Sequence, residues 1–352
     1  MTTAVAKAAI ATHQRGSRRA LILGLLLLLA VLVVVTCGLG YVQLTPGQVW
    51  AVIWQRVSGG EPDLPRLAVQ LVWEVRLPRI LTAAAVGAGL ALSGAVFQGI
   101  LLNPLADPFT LGVSSGAAFG AALALWLGLG FLGPYTVCLL AFLGAMATLA
   151  AVIMLSAKDG QAAPTSLILS GVIVAAILSA GISLIKYLAG EQVSVIIFWL
   201  MGSLVGRTWL EAGLTWWLTG LGFLIFMFHA RDLNLLSLGP RAAAALGVEV
   251  RRVRLTLLIA ASLVSAAAVS VAGIIGFVGL LIPHLLRMLV GPDNRLLLPA
   301  AGLAGAALLL IADSVTRTAL PHEVPIGVLT ALIGGPFFCY VFRRKQLGVG
   351  RD

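Results

Sequence analysis

The chain has 352 residues, of which 60% are hydrophobic and 10% are charged, and its mean hydropathy is +1.05. Because soluble domains carry roughly a quarter charged residues, this composition excludes an ordinary soluble domain and predicts a membrane protein. The net charge of +10 does not indicate nucleic-acid binding, since the basic residues are spread over short segments between apolar runs, where membrane topology accounts for them.

The apolar runs predict an all-α polytopic fold of about ten transmembrane helices. A span needs about 20 residues, and the uncharged runs are divided here at glycine and proline turns. The predicted spans cover residues 19–41, 72–101, 107–128, 134–156, 165–188, 211–230, 253–273, 276–290, 296–315 and 325–342. A shorter apolar segment, 193–204, is too brief to cross the bilayer and is expected at an interface.

The lysines and arginines predict the orientation of these spans. With the N-terminus inside, sixteen of the 23 basic residues fall on the cytoplasmic side, as the positive-inside rule requires. The predicted organisation is a cytoplasmic tail (1–18), one transmembrane domain (19–344) and a second cytoplasmic tail (345–352). The first apolar run is too long for the core of a signal peptide, so it is expected to be a retained span.

Residues 76–116 are the most informative stretch of the chain. Arg76 and Arg79 lie at the edge of a run without Asp, Glu, Lys or Arg from Ile80 to Ala106, which ends near the polar pair Asn103-Pro104. Four glycines lie inside this run, at positions 87, 89, 94 and 99. Small residues let membrane helices approach closely, so the pattern predicts a tightly packed helix pair around a polar elbow.

The sequence contains no motif that would hold ATP. A P-loop requires a Gly-Lys pair followed by Ser or Thr. The four lysines are instead followed by Ala, Asp, Tyr and Gln. Ion-coupled carriers place ionisable groups within the membrane, whereas Asp and Glu here fall at span ends or in loops. Any ATP-driven work is therefore expected from a separate subunit.

The longest predicted cytoplasmic loop, 231–254, contains LGPRAAAALGV from Leu238 to Val248. Proline is favoured at the start of a helix and glycine after its end, so this sequence predicts a helix of about two turns. Such a helix is too short to span and too apolar to lie free in water. It either packs as a re-entrant loop or sits in a groove on a partner protein.

Five ordered blocks resemble the FecCD/BtuC-type permeases: VRLPRIL, GLALSGAVFQGILLNPLADPFTLGVSSGAA, LGPRAAAALGV, AGIIGFVGLLIPHLLR and VPIGVLTALIGGPFF. These permeases are the membrane subunits of type II ABC importers for ferric siderophores, haem and vitamin B12. The resemblance implies a permease in the bacterial inner membrane that pairs with a second copy, most simply as a homodimer. It also implies two ATPase subunits, which use ATP and Mg²⁺, and a periplasmic or lipid-anchored substrate-binding protein.

The resemblance also implies roles for particular residues. In similar permeases, arginines at the positions of Arg76, Arg79 and Arg317 receive acidic residues of the binding protein. Read from the residues alone, Arg76 and Arg79 would anchor a helix end by snorkelling. Arg317 would form a helical i,i+4 pair with Asp313, worth a few tenths of a kcal/mol.

Two further sets of residues match motif positions of that family. The resemblance implies a cytoplasmic gate at Asn103, Leu105, Thr165 and Ser166, although Thr165 or Ser166 could instead cap a helix start. It implies an ATPase-coupling region at Leu238, Gly239, Arg241, Ala245, Leu246 and Gly247. Arg241 would either pair with the ATPase or be one of the basic residues that keep this loop on the cytoplasmic side.

No catalytic residue, resident cofactor or metal site is expected. His284 follows a helix-bending proline and is read as a packing residue, and the three cysteines lie apart in apolar runs. The leading hypothesis is a permease for an iron chelate, with haem or cobalamin as alternatives on the same fold. Two other classes are considered, a stand-alone secondary transporter or channel, which would need a membrane-embedded coupling charge, and a membrane enzyme, which would need clustered polar groups.

Overall fold

The computed structural model describes residues 2–40, 42–59, 65–158, 161–318 and 323–348. The helices of the first half are α1 Thr2–Gly38, α2 Pro46–Ser58, α3 Arg66–Gln70, α4 Leu77–Ile100, α5 Val113–Trp126, α6 Tyr135–Ser156, α7 Pro164–Leu188 and α8 Val193–Leu200. Those of the second half are α9 Trp209–Phe228, α10 Ala230–Leu236, α11 Pro240–Ala245, α12 Val250–Ala272, α13 Val278–Val290, α14 Asn294–Thr318 and α15 Ile326–Gly348.

Three short elements complete the fold. A π-helical turn, Leu71–Arg76, joins α3 to α4 without a break, and a 3₁₀ turn, Gly190–Gln192, precedes α8. A two-stranded antiparallel ladder pairs Ala157–Lys158 with Gln161–Ala162 between α6 and α7.

Within the described residues, seven helices are long and apolar enough to cross a membrane. They lie at Ala20–Gly38, Arg66–Ile100, Tyr135–Ser156, Pro164–Leu188, Trp209–Phe228, Val250–Ala272 and Asn294–Thr318. Each coincides with a predicted span. The spans predicted at 107–128, 276–290 and 325–342 coincide with shorter apolar helices, α5, α13 and the Ile326–Tyr340 part of α15. The all-α membrane fold is confirmed, while seven rather than ten helices have the length of a full span.

Helix α4 forms the centre of the molecule. The most apolar 18-residue window of the Arg66–Ile100 helix is 94% buried, because α14, α12, α13 and α9 pack around α4. A Cβ atom at Gly87 would collide with the carbonyl oxygen of Gly305 on α14, and one at Gly94 would collide with that of Gly279 on α13. The glycines of α4 therefore bring helix backbones into direct contact.

The predicted pairing of this helix with the following one is wrong. Helix α5 packs mainly on α6, where Gly116 and Gly144 approach each other backbone to backbone. The small residues are used as predicted, but the twelve-residue connection lets α4 and α5 separate and choose different partners. Helices α1, α6 and α7 stay at the periphery, with only 11%, 28% and 22% of their most apolar windows buried.

Candidate functional site

Arg79 lies at the centre of an ion cluster near the start of α4. Its Nε and Nη2 atoms donate to Oδ1 of Asp313 on α14 at 3.0 and 2.9 Å. Its Nη1 and Nη2 atoms donate to the two carboxylate oxygens of Glu323 at 3.0 and 2.9 Å. The second contact is a bidentate fork, the geometry in which an arginine binds a carboxylate most strongly.

Asp313 is shared between two arginines. It is 1% exposed, and its Oδ2 atom lies 3.3 Å from Nε of Arg317, four residues later on α14. Arg317 also donates to the carbonyl oxygen of Thr36 on α1 at 3.0 Å. The helical pair predicted from the spacing is present, but it is one edge of a larger network that joins α1, α4 and α14.

Arg76 is also buried, at 5% exposure, although it has no carboxylate partner in the described part of the chain. Its guanidinium donates to the carbonyl oxygens of Cys37 at 2.6 Å, Gly38 at 3.2 Å and Val42. Cys37 and Gly38 are the last two residues of α1, where carbonyls have no partner within the helix, and Val42 lies in the turn that follows. Arg76 thus fixes the end of α1 to the start of the central helix.

The structure therefore brings the three predicted docking arginines together, but with their guanidinium groups engaged by the chain itself. We call these residues with their two carboxylates the arginine cluster, which consists of Arg76, Arg79, Arg317, Asp313 and Glu323. Of the two carboxylates, that of Glu323 is accessible, with 43% of its side chain exposed. Sequence reasoning missed the ion pairs of Arg79, because Asp313 and Glu323 lie more than 230 residues away in the chain.

The elbow, residues 101–112, connects α4 to α5. Asn103 shapes its first turn: its Oδ1 atom accepts from the amide of Leu105 at 3.0 Å, and its carbonyl accepts from Ala106 at 3.1 Å. Leu105 is 38% exposed and Leu102 is 45% exposed. Leu102 has a φ of 51°, a left-handed conformation that is uncommon for a bulky residue and is usually held by its surroundings.

Asp107 caps the second turn of the elbow. Its Oδ1 atom accepts from the amides of Phe109 and Thr110, both at 3.0 Å. Burial raises the pKa of this carboxyl to about 6, and the two amide hydrogen bonds oppose that rise. Unlike Asp313, Asp107 makes no ion pair within the described residues, so its charge is stabilised by amide dipoles alone.

Helix α7 approaches the elbow through Gly171, where a Cβ atom would come within 2.5 Å of the carbonyl oxygen of Thr110. The predicted gate residues of α7 lie one to two turns earlier: Thr165 is exposed and Ser166 is half-buried. The capping interpretation is wrong, because Ala163 occupies the cap position and makes no side-chain cap bond. Among the described residues, no hydrogen bond joins Asn103 to either hydroxyl, so the gate assignment stays a prediction.

The segment 238–247 contains the predicted short helix as α11. Gly239 and Gly247 flank it with φ values of 98° and 86°, which lie in the range that only glycine adopts freely. Ala243, in the middle of α11, is fully buried and packs this helix against the bundle. Most of its remaining residues face outward: Leu238 is 64% exposed and Leu246 is 58% exposed, and Arg241, Ala245 and Gly247 are also exposed. This exposure favours the partner-facing interpretation over a packed re-entrant loop.

No metal centre forms in the part of the chain that the structure describes, where no three His, Cys, Asp or Glu side chains come together. His284 lies edge-on to the ring of Phe338, with centroids 6.2 Å apart. Cys37 is buried, Cys138 is half-buried and Cys339 is exposed, all as free thiols.

Comparison with known proteins supports one family. The model of the FecCD transport family matches residues 27–344. The molybdate import system permease protein MolB of Haemophilus influenzae is 42% identical over 96% of this chain and 99% of its own length. The hemin transport system permease protein HmuU of Yersinia pestis is 37% identical over 92% of this chain and 96% of its own length.

A solved structure extends the likeness to three dimensions. It shows an inward-facing conformation of a metal-chelate type ABC transporter, with 38% sequence identity and a TM-score of 0.81. The alignment covers 93% of this chain and 99% of that one.

Proposed function

Because the chain belongs to the FecCD transport family, whose relatives are permease subunits of ABC transporters, we propose that it forms the translocation path for an iron chelate such as a ferric siderophore. The observation that carries this proposal is the likeness to a hemin permease and to a metal-chelate transporter over more than nine-tenths of the chain. The likeness to MolB makes molybdate a competing substrate, and haem and cobalamin are alternatives on the same fold.

The proposed assembly contains two copies of this chain, two ATPase subunits that use ATP and Mg²⁺, and a substrate-binding protein. The chain would lie in the bacterial inner membrane with both termini in the cytoplasm, as its basic residues favour. The lightly buried helix α7 offers an apolar face for the second copy, with Leu169, Ile173 and Ile177 each about half exposed or more. No cofactor is proposed for this chain itself.

We assign docking of the binding protein to Arg76, Arg79 and Arg317. Arg79 is the best placed of the three, since one of its partners, Glu323, is exposed. An acidic residue of the binding protein would take the place of Glu323 and accept the same two hydrogen bonds. Asp313 would stay in place, because a buried carboxylate between two arginines is costly to separate from them.

We assign ATPase coupling to the segment 238–247 and the cytoplasmic gate to Asn103, Leu105, Thr165 and Ser166. Closure of the ATPases would press on the exposed apolar face of α11. The movement would reach the elbow, whose turns are shaped by Asn103 and Asp107, and would open the path past Leu105. The loaded binding protein and ATP would favour different conformations of this path, and the change from one conformation to the other would let the substrate pass.

The test is uptake by the native complex, purified through a tag on this chain and reconstituted in liposomes with ATP inside. Four probes are compared: a ⁵⁵Fe-labelled ferric hydroxamate, hemin, cyanocobalamin and molybdate. The proposal predicts ATP-dependent uptake of the ferric hydroxamate above the other three. Preferential uptake of another probe would overturn the iron-chelate assignment. Uptake that needs neither ATP nor the ATPase subunits would instead support a stand-alone transporter.

A further inference from the structure

Helix α10 was not predicted from the sequence, and it lies directly before the segment 238–247. It follows α9 with only His229 between them, and it ends at Leu236. The turn into α11 is closed by two backbone hydrogen bonds, from Leu238 to the carbonyl of Leu235 at 3.1 Å and from Gly239 to that of Leu236 at 3.0 Å. Because this turn is hydrogen-bonded, a movement of α11 also moves α10.

The side chain of Asn234 ties α10 to the beginning of α14. Its Nδ2 atom donates to Oδ1 of Asp293 at 2.8 Å. Its Oδ1 atom accepts from the amide nitrogen of Asn294 at 2.9 Å and from the side-chain Nδ2 of Asn294 at 2.8 Å. Asp293 also accepts from the amide of Arg295 at 3.1 Å and so caps α14. The Asn234 amide thus uses its donor and its acceptor on the same helix end.

The neighbouring residue holds a different helix. Leu233 is fully buried, and its side chain packs against Gly99 near the end of α4, where a Cβ atom would come within 2.8 Å of it. Gly99 lies four residues before Asn103, the first polar residue of the elbow. Two adjacent residues of α10 therefore contact the two central helices, one by packing and one by hydrogen bonds.

Helix α14 connects the two ends of the molecule. It carries Asn294 at its first turn and Asp313 near its last, nineteen residues apart in a single helix. At 1.5 Å per residue this separation is about 28 Å, close to the thickness of the bilayer core. Asp313 belongs to the arginine cluster, so one continuous helix, with Pro299 in its second turn, links that cluster to the joint made by Asn234.

We propose that the Asn234–Asp293–Asn294 joint is the connection through which α10 and α14 move together, and that Asn234 is a positioning residue for coupled transport. This inference rests on the proposed function, in which the segment 238–247 receives the force of the ATPases. A displacement of that segment moves α10, and α10 pulls the beginning of α14 through Asn234 while Leu233 presses on α4. Docking at the arginine cluster reaches the ATPases by the same route in reverse.

The experiment exploits the donor and acceptor pattern of the joint. Asn234→Asp places a second carboxylate against Asp293 and breaks the joint by like-charge repulsion. Adding Asp293→Asn restores the joint. The new carboxylate at position 234 then accepts from the side-chain amides at positions 293 and 294, so that only the bond between 234 and 293 changes direction. Each variant complex is reconstituted in liposomes with ATP, and the ⁵⁵Fe-labelled hydroxamate taken up per ATP hydrolysed is measured.

The single variant is expected to lower uptake per ATP by about tenfold, a size usual for coupling between sites, while hydrolysis without binding protein continues. The double variant is expected to recover most of the loss, since neighbouring residues of one network are not additive. Ser237→Ala is the control on the same connection, because among the described residues this exposed hydroxyl donates only to the carbonyl of Asn234. It should match the wild type.

Thermal unfolding of each complex shows whether a variant has lost structure. Normal uptake per ATP in the single variant, or a well-folded double variant that stays uncoupled, would overturn the joint while leaving the proposed function intact. An absence of ATP-driven uptake by the wild-type complex would overturn the proposed function itself.

Discussion

The two ends of this molecule treat their functional side chains in opposite ways. In the arginine cluster, Arg76 and Arg79 are at most 9% exposed, and their guanidinium groups are bound by the chain itself. In the segment 238–247, Leu238 and Leu246 are more than half exposed, and nothing in the part of the chain that the structure describes covers them. Burying a charged group without a partner costs much free energy, whereas leaving an apolar side chain exposed costs little. A partner that binds the arginine cluster must therefore replace contacts within the chain, whereas a partner that binds the segment 238–247 only adds contacts.

The largest effect that would test this comparison is expected for Asp313→Asn. It leaves two buried arginines without their shared carboxylate, and loss of one partner from a buried ion pair typically costs about 3–5 kcal/mol. The free energy of unfolding in detergent measures the loss. The control is Glu249→Gln, whose ion pair with Arg252 is 3.8 Å long and largely exposed, and which should cost less than about 1 kcal/mol. Equal stability of the two variants would mean that the arginine cluster does not hold the fold.

A smaller effect, on association and not on stability, is expected for Leu238→Ser combined with Leu246→Ser. Exposed apolar anchors at an interface typically contribute about 1–2 kcal/mol each, so ATPase binding should weaken by about tenfold or more. Surface plasmon resonance with the purified ATPase measures it. The matched control is Leu127→Ser with Leu132→Ser, two leucines of similar exposure in the α5–α6 turn. If the control weakens ATPase binding as much, the segment 238–247 is not the specific contact.

The smallest effect is expected for Glu323→Gln, which removes a charge whose side chain is 43% exposed and should therefore cost less stability than Asp313→Asn. Because it weakens the internal competitor for Arg79, it should tighten binding of the substrate-binding protein by a few fold. Titration of the binding protein against the complex in nanodiscs measures the affinity, and Glu74→Gln, an exposed acidic residue five positions before Arg79, is the control. Unchanged or weaker binding would contradict the docking role assigned to Arg79.

The local patterns of the sequence predicted most of the helices. Uncharged runs located the seven full-length spans, and the proline and glycine around 238–247 located α11, because both signals depend on neighbouring residues. The partners of the helices were not predictable in this way. Gly87 shows that a backbone comes close, but nothing near it in the sequence shows that the backbone belongs to Gly305.

The same limit explains the candidate site. Arg76 and Arg79 were identified as important, yet their contacts with the α1 turn and with Glu323 depend on how distant segments fold together. Asn234 was missed altogether, since a single asparagine in a charged loop is unremarkable in sequence. Its role appears only when α10 is placed beside the beginning of α14.

The glycine contacts of the central helix restrict how this molecule changes shape. Side chains between two helices can change rotamer and let the helices slide, but two backbones in contact have no such tolerance. The contacts of Gly87 with Gly305 and of Gly94 with Gly279 therefore hold the backbone of α4 directly against those of α14 and α13. A change of shape that opens a path is therefore expected at the looser contacts around these three helices, such as those of α15 with α13 and α14.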